Sequence, residues 1–207
     1  MAPTQTVSPD DATATAAIAV TATRRPWWSG MAWWPLLCAP AAVALTLLAH
    51  DRGWEPLLHK PNHEFIAIPL LALTVVFMAR TWRTRREALF LALTIVSAAF
   101  LCREIHFTGS DPLLYLSVNA VAFWVWRRWP DMRATLVTWP ARAWLVASFA
   151  CYFLSQVVAR RAFRGLAGED AVHVPLEELL ESVAHLLFLY AAWCSGDRTA
   201  PESDPTG

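Results

Sequence analysis

The sequence is short of charge. Only 16% of its 207 residues are charged, whereas 56% are apolar; a soluble domain carries about a quarter charged residues. This shortage excludes a soluble fold and predicts an integral membrane protein. Lysine is nearly absent as well, since Lys60 is the single one among 17 basic residues, which are balanced by 17 acids. Without excess positive charge, we expect no nucleic-acid partner.

Paired cysteines and processing signals are also missing. The four cysteines, Cys38, Cys102, Cys151 and Cys194, include no CxxC pair, which excludes a disulfide framework and a thiolate metal site. The first 25 residues have neither a positively charged start nor a small-residue cleavage site, so no removal of a leader is expected. Their composition, like that of the end of the chain, predicts disordered tails over 1–26 and 197–207.

Long apolar segments dominate the rest of the chain. A helix that crosses a membrane needs about 20 mostly apolar residues. Six segments meet this requirement: Met31 to His50, Glu64 to Trp82, Glu87 to Glu104, Pro112 to Trp129, Arg142 to Arg160, and Pro175 to Cys194. The connections between them are short. The sequence therefore predicts an all-α bundle of six transmembrane helices over 27–196.

The basic residues predict the orientation of this bundle. The two termini with the second and fourth loops hold eleven basic residues, and the opposite face holds six. Because positive residues favour the cytoplasmic side, both termini are expected in the cytoplasm, in a multi-pass protein of the cell inner membrane. Eleven of the twelve tryptophans fall near the same inner interface, and Trp54 is the exception. Such a girdle is typical of anchoring to anionic membrane lipids.

Ionisable residues collect on the opposite, outward half. All six histidines fall there: His50, His59, His63, His106, His173 and His185. Acidic residues accompany them at predicted helix ends: Glu64, Glu104, Asp111, Glu177, Glu178 and Glu181. Scattered helix caps would be shared by both faces, so this bias indicates a polar site near the outer surface.

The sixth segment carries the strongest signal. At 100° per residue, Glu177, Glu178, Glu181 and His185 share one stripe of the helix. Glu177 and Glu178 are explained by a helix start at Pro175, because first-turn carboxylates complement the helix dipole. Glu181 and His185 lie about 9 and 15 Å further along the axis. Ionisable groups at that depth are costly unless paired, and they mark a functional site or a hydrogen bond between helices.

Short connections should bring these groups together. We expect one cluster of Glu104, His106, Glu181 and His185, with Glu64 at its edge. Carboxylates and imidazoles suit zinc, manganese or iron. The predicted ligands of such a divalent metal are His185, His106, Glu64 and Glu178, and the predicted catalytic residues are Glu181, as general base, and Glu104. The Glu181-x-x-x-His185 spacing matches neither the Glu-x-x-His of di-iron bundles nor the His-Glu-x-x-His of metalloproteases.

Three classes of function remain open at this level. The first is a metal-dependent intramembrane hydrolase acting on a lipid or a short peptide, in which the metal activates a water. The second is a proton- or ion-coupled transporter, against which the lack of a repeat or of Gly-broken helices argues. The third is a structural or assembly subunit; haem binding is a weaker fourth reading. Membrane lipids, a second copy of the chain or another membrane subunit are the expected partners.

Overall fold

The structure is a computed structural model that describes residues 26–54, 59–106, 109–165 and 168–196, apart from the side chains of Lys60, Ser110 and Asp111. The predicted tails lie outside the described residues, except for Pro26. The chain divides into two compact units, Met1–Gly30 and Met31–Gly207. In the first unit, a turn over 27–30 holds Trp27 and Trp28 edge to face. The helices and sites described below belong to the second unit.

The second unit is built from helices. Helices hold 81% of the described residues, and no strand occurs among them, which confirms the all-α prediction. A 3-10 turn, Trp34–Leu37, leads into α1. The α-helices are α1 Cys38–Arg52, α2 Lys60–Arg85, α3 Ala88–Glu104, α4 Ser110–Arg127, α5 Trp129–Thr138, α6 Arg142–Ala159 and α7 Glu169–Trp193.

Among the described residues, three stretches are long and apolar enough to cross a membrane: Trp34–Arg52, Pro61–Arg85 and Arg142–Ala159. Two other predicted spans, α3 and α7, are not among these three stretches, because one is too short and the other contains too many acidic residues. Helix α3 has 17 residues, about 26 Å at 1.5 Å per residue, which is slightly less than the thickness of a hydrocarbon core. Helix α7 contains five acidic residues, which lower its hydropathy. The described fold is thus an all-helical protein with three candidate spans.

Two helices begin about a turn or more before the residue that the sequence predicts. Helix α2 starts at Lys60 instead of Glu64, because Pro61 in the first turn has the backbone angle that a helix start requires. Helix α7 starts at Glu169, after Gly168 in the left-handed conformation, and Pro175 lies inside it. Glu177 and Glu178 are therefore not first-turn residues, and the explanation by the helix dipole is wrong for both.

Helix α5 occupies a stretch that was expected to be a loop. Pro130 stands in its first turn together with Asp131, and both are favourable at a helix start. The guanidinium of Arg128 reinforces this start by donating to the Asp131 carboxylate at 3.3 Å. With only 10 residues, α5 connects the longer helices α4 and α6.

Helix α7 lies at the centre of the bundle. Its most extensive contact is with α6, followed by α2 and α1. Where these helices meet, a buried apolar cluster joins Ala42 of α1, Val158 of α6, and Leu179 and Leu180 of α7. The central position gives α7 neighbours on several sides. Its acidic residues can therefore face other helices, and this placement builds the site.

Aromatic contacts gather at the end of the bundle opposite the predicted polar site. Trp144 packs edge to face against Trp34, and Phe90 packs in the same way against Trp139. Trp139 is only 1% exposed. It therefore belongs to the core and not to the interfacial girdle, and its ring packs against Phe90 of α3.

Candidate functional site

Three helices bring ionisable side chains to one end of the bundle. Helix α2 begins there, α3 ends there, and the first half of α7 packs beside α2 at the same end. Together they line a cavity of about 10 Å³, the lower limit for one water molecule. We call its ionisable lining the Glu/His cluster: His63, Glu64, Glu104, Glu178, Glu181 and His185.

Glu181 is the most connected member of this cluster. Its Oε1 atom accepts hydrogen bonds from Nη1 of Arg103 at 3.1 Å, Nε2 of Gln156 at 3.2 Å and Oγ of Ser155 at 3.4 Å. The residue is 8% exposed. Because these donors come from α3 and α6, one carboxylate of α7 ties three helices together.

Arg103 lies between two carboxylates. The same Nη1 atom that donates to Glu181 is 3.9 Å from Oε1 of Glu104. The Glu104 side chain is 9% exposed, although it ends a helix, where its charge opposes the dipole. Four carboxylates line the small cavity. Arg103 therefore supplies positive charge to both Glu104 and Glu181.

The two buried histidines differ in their contacts. Nδ1 of His63 and Oγ of Ser182 are hydrogen-bonded at 2.9 Å. His185 is 2% exposed and packs its ring edge to face against Tyr152, with 5.4 Å between centroids. Within the described part of the chain, neither Nδ1 of His185 nor the hydroxyl of Tyr152 has a hydrogen-bond partner. His185 therefore has a polar atom available for a further interaction.

The structure brings most of the predicted site residues together. Glu64, Glu104, Glu178, Glu181 and His185 line the same cavity. His106 does not line it.

His106 is exposed, with a positive φ of 54°, and its Nδ1–H donates to the Glu104 carbonyl at 2.7 Å. The chain turns at this residue, directly after α3 ends, and the ring closes the turn onto the backbone. No group of three or more His, Cys, Asp or Glu side chains is arranged to hold a metal ion in the ranges that the structure describes. The zinc, manganese or iron site stays a prediction.

Several functional side chains are not predicted from the sequence. They are His63, Arg103, Ser155, Gln156 and Ser182. The adjacent pair Ser155 and Gln156 interrupts an otherwise apolar segment, which is a usable signal for an inward-facing position. Arg103 carries a weaker signal, because an arginine beside Glu104 is equally explained by a local ion pair. Only the packing shows that its closer partner is Glu181, 78 residues away.

Comparisons with protein-family models, with curated proteins and with solved structures return no match to this chain.

The chemistry available at the site is set by its own residues. Carboxylates and imidazoles can bind and release protons, and the guanidinium holds a carboxylate more strongly when the carboxylate is charged. The cavity has no room for an organic substrate beside these groups.

Proposed function

We propose that this chain is a six-span, multi-pass protein of the cell inner membrane with both termini in the cytoplasm. The spans are α1 with its preceding 3-10 turn, α2, α3, α4, α6 and, from Pro175 onward, α7. Exposed apolar side chains support the proposal, among them Phe65 at 82%, Phe153 at 72% and Leu116 at 69% exposure. Apolar exposure on several helices is unfavourable in water and is expected in contact with lipid.

Within this architecture, we propose that the Glu/His cluster binds and releases protons, as in a proton-coupled transporter. The observation that carries the proposal is the Glu181 carboxylate, buried and bonded to Arg103 at 3.1 Å while three further carboxylates line the same water-sized cavity. Ionisable groups within a membrane protein commonly form proton relays. The cluster's position at the end of three helices would connect it to the outer solution.

The proposed step is a change in the contact between helices. When Glu181 is charged, it holds Arg103 of α3 against α6 and α7. A proton on Glu181 removes its negative charge and weakens this attraction, so α3 can separate from the α6–α7 pair. Glu104 and Glu178 line the same cavity and could receive or supply the proton through a single water. Protonation would thereby be linked to a movement of α3.

The metal-dependent hydrolase that the sequence also suggests remains an alternative. In that mechanism His185 and a carboxylate would hold the metal, and Glu181 would accept a proton from the bound water. Two observations favour the proton site over it. Oε1 of Glu181 already accepts hydrogen bonds from Arg103, Gln156 and Ser155, and the cavity is too small for a lipid or a peptide.

Infrared difference spectroscopy on the purified protein in lipid nanodiscs tests the proton site without a known substrate. Spectra at about pH 5 and pH 8, the range in which biological proton switches work, should differ in a band from protonated carboxyl groups. Glu181→Gln should remove part of this band. Asp131→Asn, a change at an exposed carboxylate in the first turn of α5, should leave it unchanged.

Two results would contradict the proposal. The first is a pH-difference spectrum with no carboxyl band, or with one that Glu181→Gln leaves intact. The second is a stoichiometric transition metal in the purified protein that is lost in both Glu181→Gln and His185→Gln. Such a metal would favour the hydrolase.

A further inference from the structure

A second, larger cavity lies between α1, α6 and α7. Its volume is about 410 Å³, within the range of small-molecule sites. Most of its wall is aliphatic, formed by Val43 and Leu47 of α1, Leu154 and Val158 of α6, and Val172 and Leu176 of α7. Ser155 and Gln156, which lie between the two wall residues of α6, bond instead to Glu181. The cavity is therefore separate from the Glu/His cluster.

One end of this cavity is polar. His50, Glu169 and His173 contribute to the lining there. Arg161 neutralises Glu169, because its Nε and Nη2 atoms donate to the two carboxylate oxygens at 3.1 and 2.6 Å. Arg161 also binds Asp170. The negative charges nearest the opening are therefore already held by a guanidinium.

The surroundings of the polar end are basic. Arg160 and Arg164 are exposed in the turn that follows α6, and Phe163 of the same turn lines the cavity. With Arg161, this turn has three positive charges against the two of Glu169 and Asp170. The two imidazoles can donate hydrogen bonds to an anion as well. An aliphatic chamber with a basic rim complements a molecule that has one apolar chain and one negative end.

We propose that this cavity binds a long-chain fatty acid, with the chain among the aliphatic residues and the carboxylate beside His50 and His173. A single-chain occupant fits one chamber of this volume, whereas a phospholipid would have to leave its second chain outside. The proposal does not depend on proton binding at the Glu/His cluster, because the two cavities lie on different sides of the α6–α7 pair. It requires only that an amphiphile can reach the opening.

Photo-crosslinking on the full-length protein in nanodiscs tests this assignment. The probe is palmitic acid with a diazirine in its chain, and labelled peptides are mapped by mass spectrometry. Label should concentrate on segments 43–50, 154–163 and 168–176. Excess unlabelled palmitate should remove most of this labelling, and the uncharged methyl ester should compete far less.

Two variants separate the cavity from the general lipid surface. Val43→Trp fills the chamber and should lower labelling of these segments about tenfold. Val118→Trp makes the same change on the exposed face of α4 and should have no effect.

Four results would overturn the assignment. They are label spread evenly over all exposed helices, unchanged labelling in Val43→Trp, equal competition by the methyl ester, and a diazirine phosphatidylglycerol that labels these segments as strongly as the fatty acid does. Two of these results, evenly spread label and strong labelling by the phosphatidylglycerol probe, can be tested on the unaltered protein without any variant.

Discussion

At the scale of single residues, the Arg103–Glu181 pair is the most consequential contact. The Arg103 side chain is 28% exposed, whereas the Glu181 side chain is only 10% exposed. The two partners therefore differ in what their loss leaves behind. Removal of Arg103 leaves a buried carboxylate with two neutral donors, Gln156 and Ser155. Removal of the Glu181 charge leaves a guanidinium that still reaches solvent and Glu104.

This difference predicts unequal effects of two substitutions. We expect Arg103→Gln to destabilise the protein by about 1–3 kcal/mol, and Glu181→Gln to cost less, because glutamine keeps an acceptor for Gln156 and Ser155. The double variant should be more stable than the sum of the single changes predicts, by at least about 0.5 kcal/mol. Thermal unfolding in detergent measures all three.

A matched control is available for this cycle. Arg52 and Asp51 form an exposed pair at 3.9 Å, so Arg52→Gln should change stability by less than about 0.5 kcal/mol. Strict additivity of Arg103→Gln and Glu181→Gln would show that the pair contributes no coupling energy.

At Tyr152, in contrast, we expect a substitution that does not destabilise the protein. Its ring stacks on Phe100 at 4.5 Å, but its buried hydroxyl has no hydrogen-bond partner among the described residues. Because an unsatisfied buried polar group is unfavourable, Tyr152→Phe should keep or raise the unfolding temperature. A loss of more than about 1 kcal/mol, as for a broken hydrogen bond, would mean that the hydroxyl has a partner.

At the scale of helices, the start of α7 is held by an ion pair. Arg161 follows α6 and binds the two carboxylates that begin α7, Glu169 and Asp170. Hydrogen bonds from Arg161 lower the pKa of Glu169 below its usual value of 4.5. Both residues lie outside the proposed span that starts at Pro175. This contact, rather than the proline, explains why α7 begins six residues before Pro175.

The lowered pKa of Glu169 predicts how this contact depends on pH. Since the folded protein binds the Glu169 proton less readily than the unfolded chain does, the stabilisation is fully present above pH 4.5. It is lost as the pH falls through the lower folded value. The difference in unfolding temperature between the wild type and Glu169→Gln should therefore be constant near neutrality and shrink in acid. A difference that grows in acid would contradict this assignment.

At the scale of the whole molecule, the proposed membrane topology has a direct test. In a cysteine-free background, Ser110→Cys should react with an impermeant thiol reagent only from outside the cell. Thr84→Cys, exposed in the last turn of α2 at the other end, should react only from the cytoplasmic side. This prediction rests on the distribution of basic residues, with eleven on the side assigned to the cytoplasm and six on the opposite side. Labelling of Ser110→Cys from inside would reverse the orientation and place the Glu/His cluster on the cytoplasmic face.

The whole bundle also explains the position of its most acidic helix. Helix α7 contacts α6, α2 and α1, so its ionisable stripe has neighbours that supply donors. On a peripheral helix, Glu181 and His185 would face lipid, where an unpaired charge is costly. The central position of α7 is therefore the arrangement that would let this helix, as a proposed membrane span, retain these residues.

The sequence by itself determined the features that follow from local composition and periodicity. Its apolar segments predict helices, and the shared stripe of Glu178, Glu181 and His185 predicts that these three residues act together. The convergence of Glu64 and Glu104 on them follows from short connections between neighbouring helices. Each of these inferences depends on residues close in sequence or on the order of adjacent helices.

Only the tertiary structure decided which donors and acceptors meet. Arg103 has a choice between its neighbour Glu104 and the distant Glu181, and the arrangement of the helices in the bundle places its guanidinium closer to Glu181. His106 lies two residues beyond Glu104, yet the left-handed turn directs it away from the cavity. The extension of α7 beyond Pro175 depends on Arg161 at the end of α6. The physical reason is common to all three: contacts between side chains depend on how helices are rotated and spaced, and local sequence pattern leaves both open.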